Sequence, residues 1–374
     1  MRILQLLEPS GGGSGRHFLD LCRGLAARGH EVEAIYSPLR AEEGFVRELK
    51  ALPIAAVHAV SMTRSPGPSD LRAWRQIRRI MKAGPRFDII HGHSSKAGAL
   101  SRLRLPGPHV PRVYTPHAFR TMDPTLGAKG RFVFGGIETL LGTLFTDALI
   151  CVSNDEHAHA LSLGLPARKL HVVVNGVKPP RSDMAETVRA AFGIPKGALV
   201  IGSVGRLSPQ KAPERLLTAF ISIAAKRPDS HLLMVGSGEL EGPLRAQITA
   251  AGLSGRIHLT GAFTGQQAIP AFDVLAMPSR YEAMSYVMLE AVAAGKPIVT
   301  TRVGGATTAV VEGETGLIVD NSDDTSPLAR ALLAATEPDR LAALTTATEA
   351  RRDLFSLERM IAETETVYRT LVRG

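Results

Sequence analysis

Short apolar runs alternate with amphipathic stretches along the whole chain, a pattern typical of α/β proteins. Residues 3–7 have the composition of a buried strand, residues 16–28 repeat apolar positions on one helical face, and residues 30–36 again predict a strand. Such β-α-β units build parallel sheets. Further strands are predicted at residues 88–91, 110–115, 148–153 and 170–174.

A segment of turn-forming residues at 175–180 divides the chain into two similar halves. The second half repeats the pattern, with strands at residues 199–204, 231–235, 257–259, 274–277, 298–301 and 317–319. Helices are predicted at residues 213–226, 240–251, 325–336 and 357–372. We therefore expect two doubly wound domains, residues 1–178 and 179–352, and a terminal helix in residues 353–374 that packs back on the first domain.

Length and composition agree with two domains and exclude some protein classes. The chain has 374 residues, and its two cysteines, Cys22 and Cys151, lie in apolar segments, as buried thiols of a reducing compartment do. No apolar run reaches the roughly 18 residues of a membrane span. The apolar start of the chain is too short for a signal peptide. We expect a cytoplasmic protein.

The positive charge is confined to the first half. Residues 1–178 carry a net charge of +10 and residues 179–374 a net charge of −1, which together give the +9 of the chain. The densest stretch, residues 64–104, contains ten basic residues and only two acids, Asp70 and Asp88. A basic face of this kind binds nucleic acid, anionic lipid or a phosphorylated substrate.

Two helices in this half have a possible use besides core packing. Residues 70–82 predict a basic amphipathic helix with Trp74 and Ile77 in its apolar stripe. This helix either lies on anionic lipid or packs against its own domain, because both uses need the same stripe. Residues 132–145 are strongly apolar and form either a lipid-facing or an ordinary buried helix.

Candidate phosphate-binding groups follow two of the predicted strands. The glycine loop at residues 11–15 can bring backbone N–H groups close to a phosphate, although Arg16 breaks the dinucleotide-binding fingerprint. Arg206 and Lys211 lie in a loop between a strand and a helix, where the positive end of the helix dipole adds to their charge. Two cations in that position suit a diphosphate.

Histidines and glutamates supply the other candidate chemistry. Three histidines that follow strands, His91, His93 and His117, are candidate metal ligands. Their spacing, however, matches no recognised ligand pattern, and no cysteine joins them. The chain also has no Asp-x-Asp pair, so we expect no bound metal. Glu282 and Glu290 would lie ~12 Å apart along the axis if the residues between them were helical. That is about the span from sugar to ribose in a nucleotide-sugar, and it fits two surface glutamates equally well.

In their order and spacing, these motifs resemble the family-4 glycosyltransferases of the two-Rossmann-domain (GT-B) type. Within that family the chain looks most like bacterial enzymes of exopolysaccharide, capsule or lipopolysaccharide synthesis. The motifs are the glycine loop, His91-Gly-His-Ser-Ser-Lys-Ala-Gly, Tyr114-Thr-Pro-His117, Val174-Asn-Gly-Val177, Gly205-Arg-Leu-Ser-Pro-Gln-Lys211 and the Glu282/Glu290 run. The implied fold is α/β, with two Rossmann-like doubly wound domains facing a central cleft. The acceptor would bind the N-terminal domain and the nucleotide-sugar the C-terminal domain.

The resemblance implies a retaining, metal-independent sugar transfer from a UDP- or GDP-sugar, with no cofactor. Arg206 and Lys211 would neutralise the leaving diphosphate, and Glu290 would accept hydrogen bonds from the ribose. The implied catalytic residues are His117, Arg206, Lys211 and Glu282, and the implied donor-binding residues are Gly12, Gly13, Met284, Ser285, Tyr286, Val287 and Glu290. Three residues depart from the family pattern around the sugar: Ala283 and Ser285 replace frequent glycines, and Thr308 replaces a glutamate.

The implied acceptor is a lipid-linked or cell-surface glycan. We therefore expect peripheral contact with the anionic inner face of the cytoplasmic membrane. Two alternatives stay open: a nucleotide-sugar epimerase of the same fold, and a nucleic-acid-binding protein. The second lacks the aromatic residues that stack on bases, since Trp74 is the only tryptophan, so no nucleic-acid partner is expected.

Overall fold

A computed structural model describes residues 1–104, 109–123, 126–282 and 284–373 of the chain. It contains two compact units, residues 1–176 together with 357–374, and residues 177–356. The C-terminal helix thus belongs to the first unit, and it begins at Leu357 after a 3-10 turn at Arg352–Phe355. Ala283, one of the departures from the family pattern, lies outside the described residues.

Both units consist of a parallel sheet with helices. The strands are β1 (Arg2–Leu7), β2 (Glu31–Tyr36), β3 (Ala56–Ala59), β4 (Ile89–His93), β5 (Arg112–Thr115), β6 (Ala148–Cys151), β7 (Leu170–Val172), β8 (Leu199–Val204), β9 (Ser230–Val235), β10 (Ile257–Thr260), β11 (Val274–Met277), β12 (Ile298–Thr301) and β13 (Gly316–Val319). The first sheet has the order β3-β2-β1-β4-β5-β6-β7 and the second the order β10-β9-β8-β11-β12-β13. The chain reverses its strand order beside β1 and beside β8, where doubly wound sheets bind their ligands.

The helices cover the sheets. They are α1 (Gly12–Ala27), α2 (Glu43–Lys50), α3 (Ser69–Lys82), α4 (Ser94–Arg102), α5 (Ala128–Leu144), α6 (Asn154–Ser162), α7 (Ala185–Ala191), α8 (Pro213–Ile223), α9 (Glu241–Ala250), α10 (Gly265–Ala268), α11 (Tyr286–Ala293), α12 (Ala306–Ala309), α13 (Ser326–Ala335), α14 (Pro338–Glu349) and α15 (Leu357–Arg373). Among the described residues, no helix is long and apolar enough to cross a bilayer. The sequence pattern did not predict β3, nor the helices α2, α4, α6, α7, α12 and α14.

The central strand β1 is buried on both faces, as parallel strands between two helix layers are. Its residues Ile3 and Leu7 belong to a core cluster that includes α1 and α15. Leu4 and Leu6 point the other way, into a cluster with Ile77 of α3. This alternation explains why the strand is apolar along nearly its whole length.

The apolar stripe of the basic helix α3 packs against its own unit. Ile77 is fully buried, and Trp74, Ile80 and Met81 pack against the same core cluster, while Leu71 stays exposed. Of the two uses that the sequence left open for this helix, packing on its own domain is the one observed. Its stripe is therefore not available to lie on lipid.

Helix α5 contains the second apolar segment, and it is not an ordinary buried helix. Phe132 is 84% exposed. Four more large apolar side chains of the helix are also exposed: Val133, Ile137, Leu140 and Leu144. From Val133 onward these side chains recur every three or four residues, which puts them on one side of the helix, next to Phe132. We call these five residues the α5 face.

Candidate active site

The loop after β8 carries two predicted site residues and is held by backbone hydrogen bonds. The N–H of Leu207 donates to the carbonyl of Ser237 at 3.0 Å, and its carbonyl accepts from Leu240 at 3.1 Å. A side chain on Gly236 would overlap the carbonyl oxygen of Gly205, so only glycine permits this approach. The sequence reasoning missed Gly236 and Gly238, whose signal was a Gly-x-Gly directly after a strand.

Hydrogen bonds tie this loop to the segment before α11. The backbone N–H of Arg280 donates to the carbonyl of Gln210 at 2.8 Å. The Gln210 side chain donates in turn to the carbonyl of Tyr281 at 3.2 Å. The loops that the sequence linked only by resemblance are therefore neighbours at the carboxyl ends of β8 and β11.

Lys211 and Glu282 form an ion pair between the two loops. The Lys211 ammonium lies 2.6 Å from Oε1 of Glu282, whose side chain is only 8% exposed. Glu282 precedes the first residue of α11, Tyr286, so the helical spacing of ~12 Å considered for Glu282 and Glu290 does not apply. Glu282 therefore neutralises the charge of Lys211.

Helix α11 begins four residues after Glu282. Met284 and Ser285 are buried before the helix, and the N–H groups of Tyr286 and Val287 belong to its first turn. Such groups have no partner within their helix and favour anions. Glu290 follows one turn later. The predicted donor-binding residues of this segment thus follow shortly after Glu282, the partner of Lys211.

A pocket in the second unit lies at the carboxyl ends of β8 and β11. Its lining includes Gly205, Arg206, Lys211 and Ser279. Ser279 Oγ is buried and has no hydrogen-bond partner within the described ranges, so it can accept or donate to a ligand. Glu290 lies near the same strand end, because a Cβ on Gly265 would meet Glu290 Oε2 at 2.8 Å and the Val204 side chain at 3.3 Å.

The glycine loop of the first unit differs from its prediction. Helix α1 starts at Gly12, four residues before the predicted start, so Gly12 and Gly13 form its first turn and are exposed. The N–H of Gly12 donates to the carboxylate of Glu42 at 3.1 Å. A carboxylate from the chain itself therefore occupies the anion-favouring end of this helix.

His117 lies in a strained turn of the first unit. His117 and Ala118 both have positive φ angles, of 52° and 83°, which residues other than glycine seldom adopt. The Ala118 N–H donates to Glu156 Oε1 at 2.7 Å, which holds the turn. Burial raises the pKa of Glu156 to about 7. The sequence reasoning missed Glu156, whose signal was the Ser-x-x-Glu pattern of a helix start at Ser153.

His117 belongs to a buried histidine cluster, although its composition differs from the predicted one. His117 and His93 are joined by His17 of α1, and one ring nitrogen of each lies within 4.8 Å of the others. His91 instead faces Tyr368 and Thr115. Burial lowers the pKa of His17 to about 4 and holds those of His91, His93 and His117 well below 6.5. All four imidazoles are therefore neutral at pH 7.

Sequence profiles of two known families match the chain, one on each half. The profile "Glycosyltransferase Family 4" covers residues 11–181, and "Glycosyl transferases group 1" covers residues 184–350. The chain is a family-4 glycosyltransferase. The resemblance stated from the sequence is thereby confirmed, and so is the assignment as an enzyme. The epimerase and nucleic-acid alternatives gain no support.

Two relatives and one solved structure agree with the assignment of the chain to the glycosyltransferases. The D-inositol 3-phosphate glycosyltransferase of Corynebacterium diphtheriae is 27% identical over 83% of this chain and 79% of its own length. An Escherichia coli protein named UDP-Gal:alpha-D-GlcNAc-diphosphoundecaprenol alpha-1,3-galactosyltransferase is 29% identical over 68% of this chain and 67% of its own. The Anabaena protein HepE, solved with UDP, superposes with a TM-score of 0.81 at 21% identity over 99% of this chain and all of that one. The predicted GT-B fold class is confirmed.

Proposed function

We propose that the chain transfers a hexose from a UDP- or GDP-sugar, with retention of configuration and without a bound metal, to a lipid-linked glycan. The observation that carries the donor assignment is the Lys211–Glu282 pair beside the N-terminus of α11. A fixed cation and the N-terminus of a helix at one strand end have the chemistry that binds a diphosphate. The name of the Escherichia coli relative, which contains UDP-Gal, favours UDP as the nucleotide.

Different residues of the second unit are proposed to bind different parts of the donor. Arg206 and Lys211 neutralise the charge that develops on the leaving diphosphate, which is the task of a metal ion in other transferases. Lys211 can do so only by exchanging Glu282 for phosphate oxygens, which releases the Glu282 carboxylate to accept hydrogen bonds from sugar hydroxyls. Glu290 accepts from the ribose hydroxyls, and the backbone of residues 284–287 binds phosphate and sugar.

The roles of three residues in the first unit stay predictions from the family. Gly12 and Gly13 are proposed to approach the donor phosphates, and His117 to contact the sugar near the reacting carbon. For Gly12, this requires that the Glu42 carboxylate leave the N-terminus of α1, because the two anions compete for the same N–H groups.

The lipid-linked acceptor is inferred from charge and from a relative. The Escherichia coli galactosyltransferase is named for a diphosphoundecaprenol-linked acceptor. The net charge of +10 in residues 1–178 suits an anionic acceptor of that class. This class of acceptor also requires the enzyme to work at a membrane surface.

We propose that the α5 face makes the membrane contact. The face exposes five large apolar side chains, and the exposed Lys129 and Arg131 stand at its N-terminal end. Glu138 is the only acid in the helix sequence, and it is buried against Arg102 at 2.9 Å. An apolar face with cations and no exposed acid is complementary to an anionic bilayer.

The α5 face is tested by vesicle flotation of the full chain. The triple variant Phe132→Ser, Leu140→Ser, Leu144→Ser is expected to bind phosphatidylglycerol vesicles at least about tenfold more weakly, since each buried side chain is worth ~1.5–3 kcal/mol. The control Leu39→Ser, Leu71→Ser removes exposed apolar area elsewhere and should bind normally. Unchanged flotation of the triple variant contradicts the proposal. The proposal is also contradicted if the wild type and the control form dimers in solution and the triple variant is a monomer.

The proposed reaction is tested with labelled UDP-sugars, a membrane lipid extract and a chelator. We expect label in the lipid fraction, and we expect the transferred sugar to have the same anomeric configuration as in the donor. The chelator should not lower the rate of transfer. Label recovered only as free sugar, with no product in lipid, contradicts the transferase proposal.

A further inference from the structure

Three histidine side chains converge within the first unit. His17 comes from α1, His93 from the end of β4 and His117 from the turn after β5, and one ring nitrogen of each lies within 4.8 Å of the other two. His17 and His93 are buried. Neutral imidazole nitrogens are the commonest metal ligands in proteins.

Hydrogen bonds determine which nitrogen of His93 carries the proton. The Gln5 side-chain amide donates to the Tyr368 hydroxyl at 3.0 Å, which turns its carbonyl oxygen toward His93. That oxygen accepts from Nε2 of His93 at 2.8 Å. The Nδ1 atom of His93 therefore carries the lone pair and accepts from Nε2 of His117 at 3.1 Å. A metal ion bound by both nitrogens would replace this proton, and His117 would then carry its proton on Nδ1.

His17 is oriented in the same way. Its Nδ1 donates to Oδ1 of Asn175 at 2.9 Å, which leaves the lone pair on Nε2. This Nε2 is buried and has no hydrogen-bond partner in the part of the chain that the structure describes. A buried acceptor without a partner is costly, and such an atom calls for a bound ligand.

We propose that His17 Nε2, His93 Nδ1 and His117 Nε2 bind a divalent transition-metal ion of the zinc class. Two nitrogens that bind a tetrahedral zinc at ~2.0–2.1 Å are about 3.3 Å apart, close to the 3.1 Å between His93 and His117. Gln5 and Asn175 accept from the outward nitrogens, as the groups behind metal-bound histidines do. The fourth position is open to water or a ligand.

This metal site is distinct from the donor diphosphate site. The diphosphate is neutralised by Arg206 and Lys211 of the second unit, so transfer does not need the zinc. Zinc would, however, occupy a ring nitrogen of His117, the residue that is proposed to contact the sugar. On the basis of the proposed function, zinc is expected to inhibit transfer, and a chelator to relieve the inhibition.

The site is tested on the full chain after treatment with a chelator, in the absence of nucleotide-sugar. Calorimetry with Zn²⁺ is expected to give one ion per chain, and Co²⁺ is expected to show the visible absorption of a tetrahedral nitrogen site. His17→Ala should lose this binding, and Asn175→Ala should weaken it by about 10- to 100-fold. The control is His258→Ala, which breaks the His231–His258 contact of 3.2 Å in the second unit and should not change zinc binding.

Equal zinc affinity in wild type, His17→Ala and Asn175→Ala would overturn the proposal, as would the lack of a stoichiometric ion in the wild type. Each variant is first compared with the wild type by circular dichroism and thermal unfolding. Where His17→Ala does not fold, Asn175→Ala decides, because it leaves all three ligands in place. A failure of zinc to bind would not count against the proposed donor site at Lys211, because the titration contains no nucleotide-sugar.

Discussion

Replacing Lys211 by methionine is expected to lower kcat for sugar transfer by about 10²- to 10³-fold. A loss of this size is typical when one preorganised group that stabilises developing charge is removed. Here the Lys211 ammonium lies 2.6 Å from Glu282, and it exchanges this carboxylate for the diphosphate oxygens whose charge it neutralises. Methionine keeps the apolar length of the side chain and removes only the charge.

A second variant separates catalysis from folding. Lys211→Met leaves the shielded Glu282 carboxylate without its cation, which also destabilises the protein. The double variant Lys211→Met, Glu282→Gln removes both charges, and should recover thermal stability without recovering kcat. The exposed Lys196→Met is the matched control and should transfer normally. Activity that returns together with stability in the double variant would show that Lys211 is only structural.

Acidification from about pH 6.5 to pH 4 is expected to destabilise the first unit. Burial lowers the pKa of His17 from 6.5 to about 4 in the folded protein. Its contribution to the free energy of unfolding is therefore fully present above pH 6.5 and is lost as the pH falls toward 4, about 3 kcal/mol in all. His91, His93 and His117 shift in the same direction, for the same reason.

One buried acid opposes this trend. Burial raises the pKa of Glu156 from 4.5 to about 7, so Glu156 contributes stability that is present at low pH and lost as the pH rises through 7. A single carboxyl group does not balance four imidazoles in overlapping pH ranges. The net free energy of unfolding should therefore fall on acidification.

Trp74 allows this pH dependence to be measured in one unit alone. It is the only tryptophan of the chain, and it lies in the first unit. Urea unfolding is followed by its fluorescence at several pH values between 7.5 and 4.5, in chelator. The wild type should lose stability across this range, and His17→Phe should lose less. A free energy of unfolding that stays constant or rises on acidification contradicts the burial of neutral histidines.

The sequence predicted the architecture because parallel strands between two helix layers are continuous apolar runs. Strand β1 is the clearest case, with Ile3 and Leu4 buried in different clusters. It missed β3, whose residues 56–59 are only partly buried and so lack that pattern. The apolar segment of α5 had two possible explanations, since hydrophobicity alone does not distinguish a buried helix from an exposed one.

The sequence predicted which loops form the site, but it did not predict most contacts between their side chains. The order of motifs indicated that Arg206, Lys211 and Glu282 belong together, but only the structure pairs Lys211 with Glu282. The sequence did not predict that the cluster contains His17 rather than His91. His17 lies on a helix, and whether its ring reaches the strand ends depends on how α1 packs against β4.

Calorimetric titration of the full chain with UDP in excess chelator tests the central claim most directly. The account predicts that one UDP binds per chain without any divalent metal. It also predicts that Lys211→Met weakens this binding by at least about tenfold, because a charge-assisted contact is worth ~1.5–3 kcal/mol. Equal UDP affinity in the wild type and in Lys211→Met, or binding that appears only when a divalent metal is added, would contradict the account.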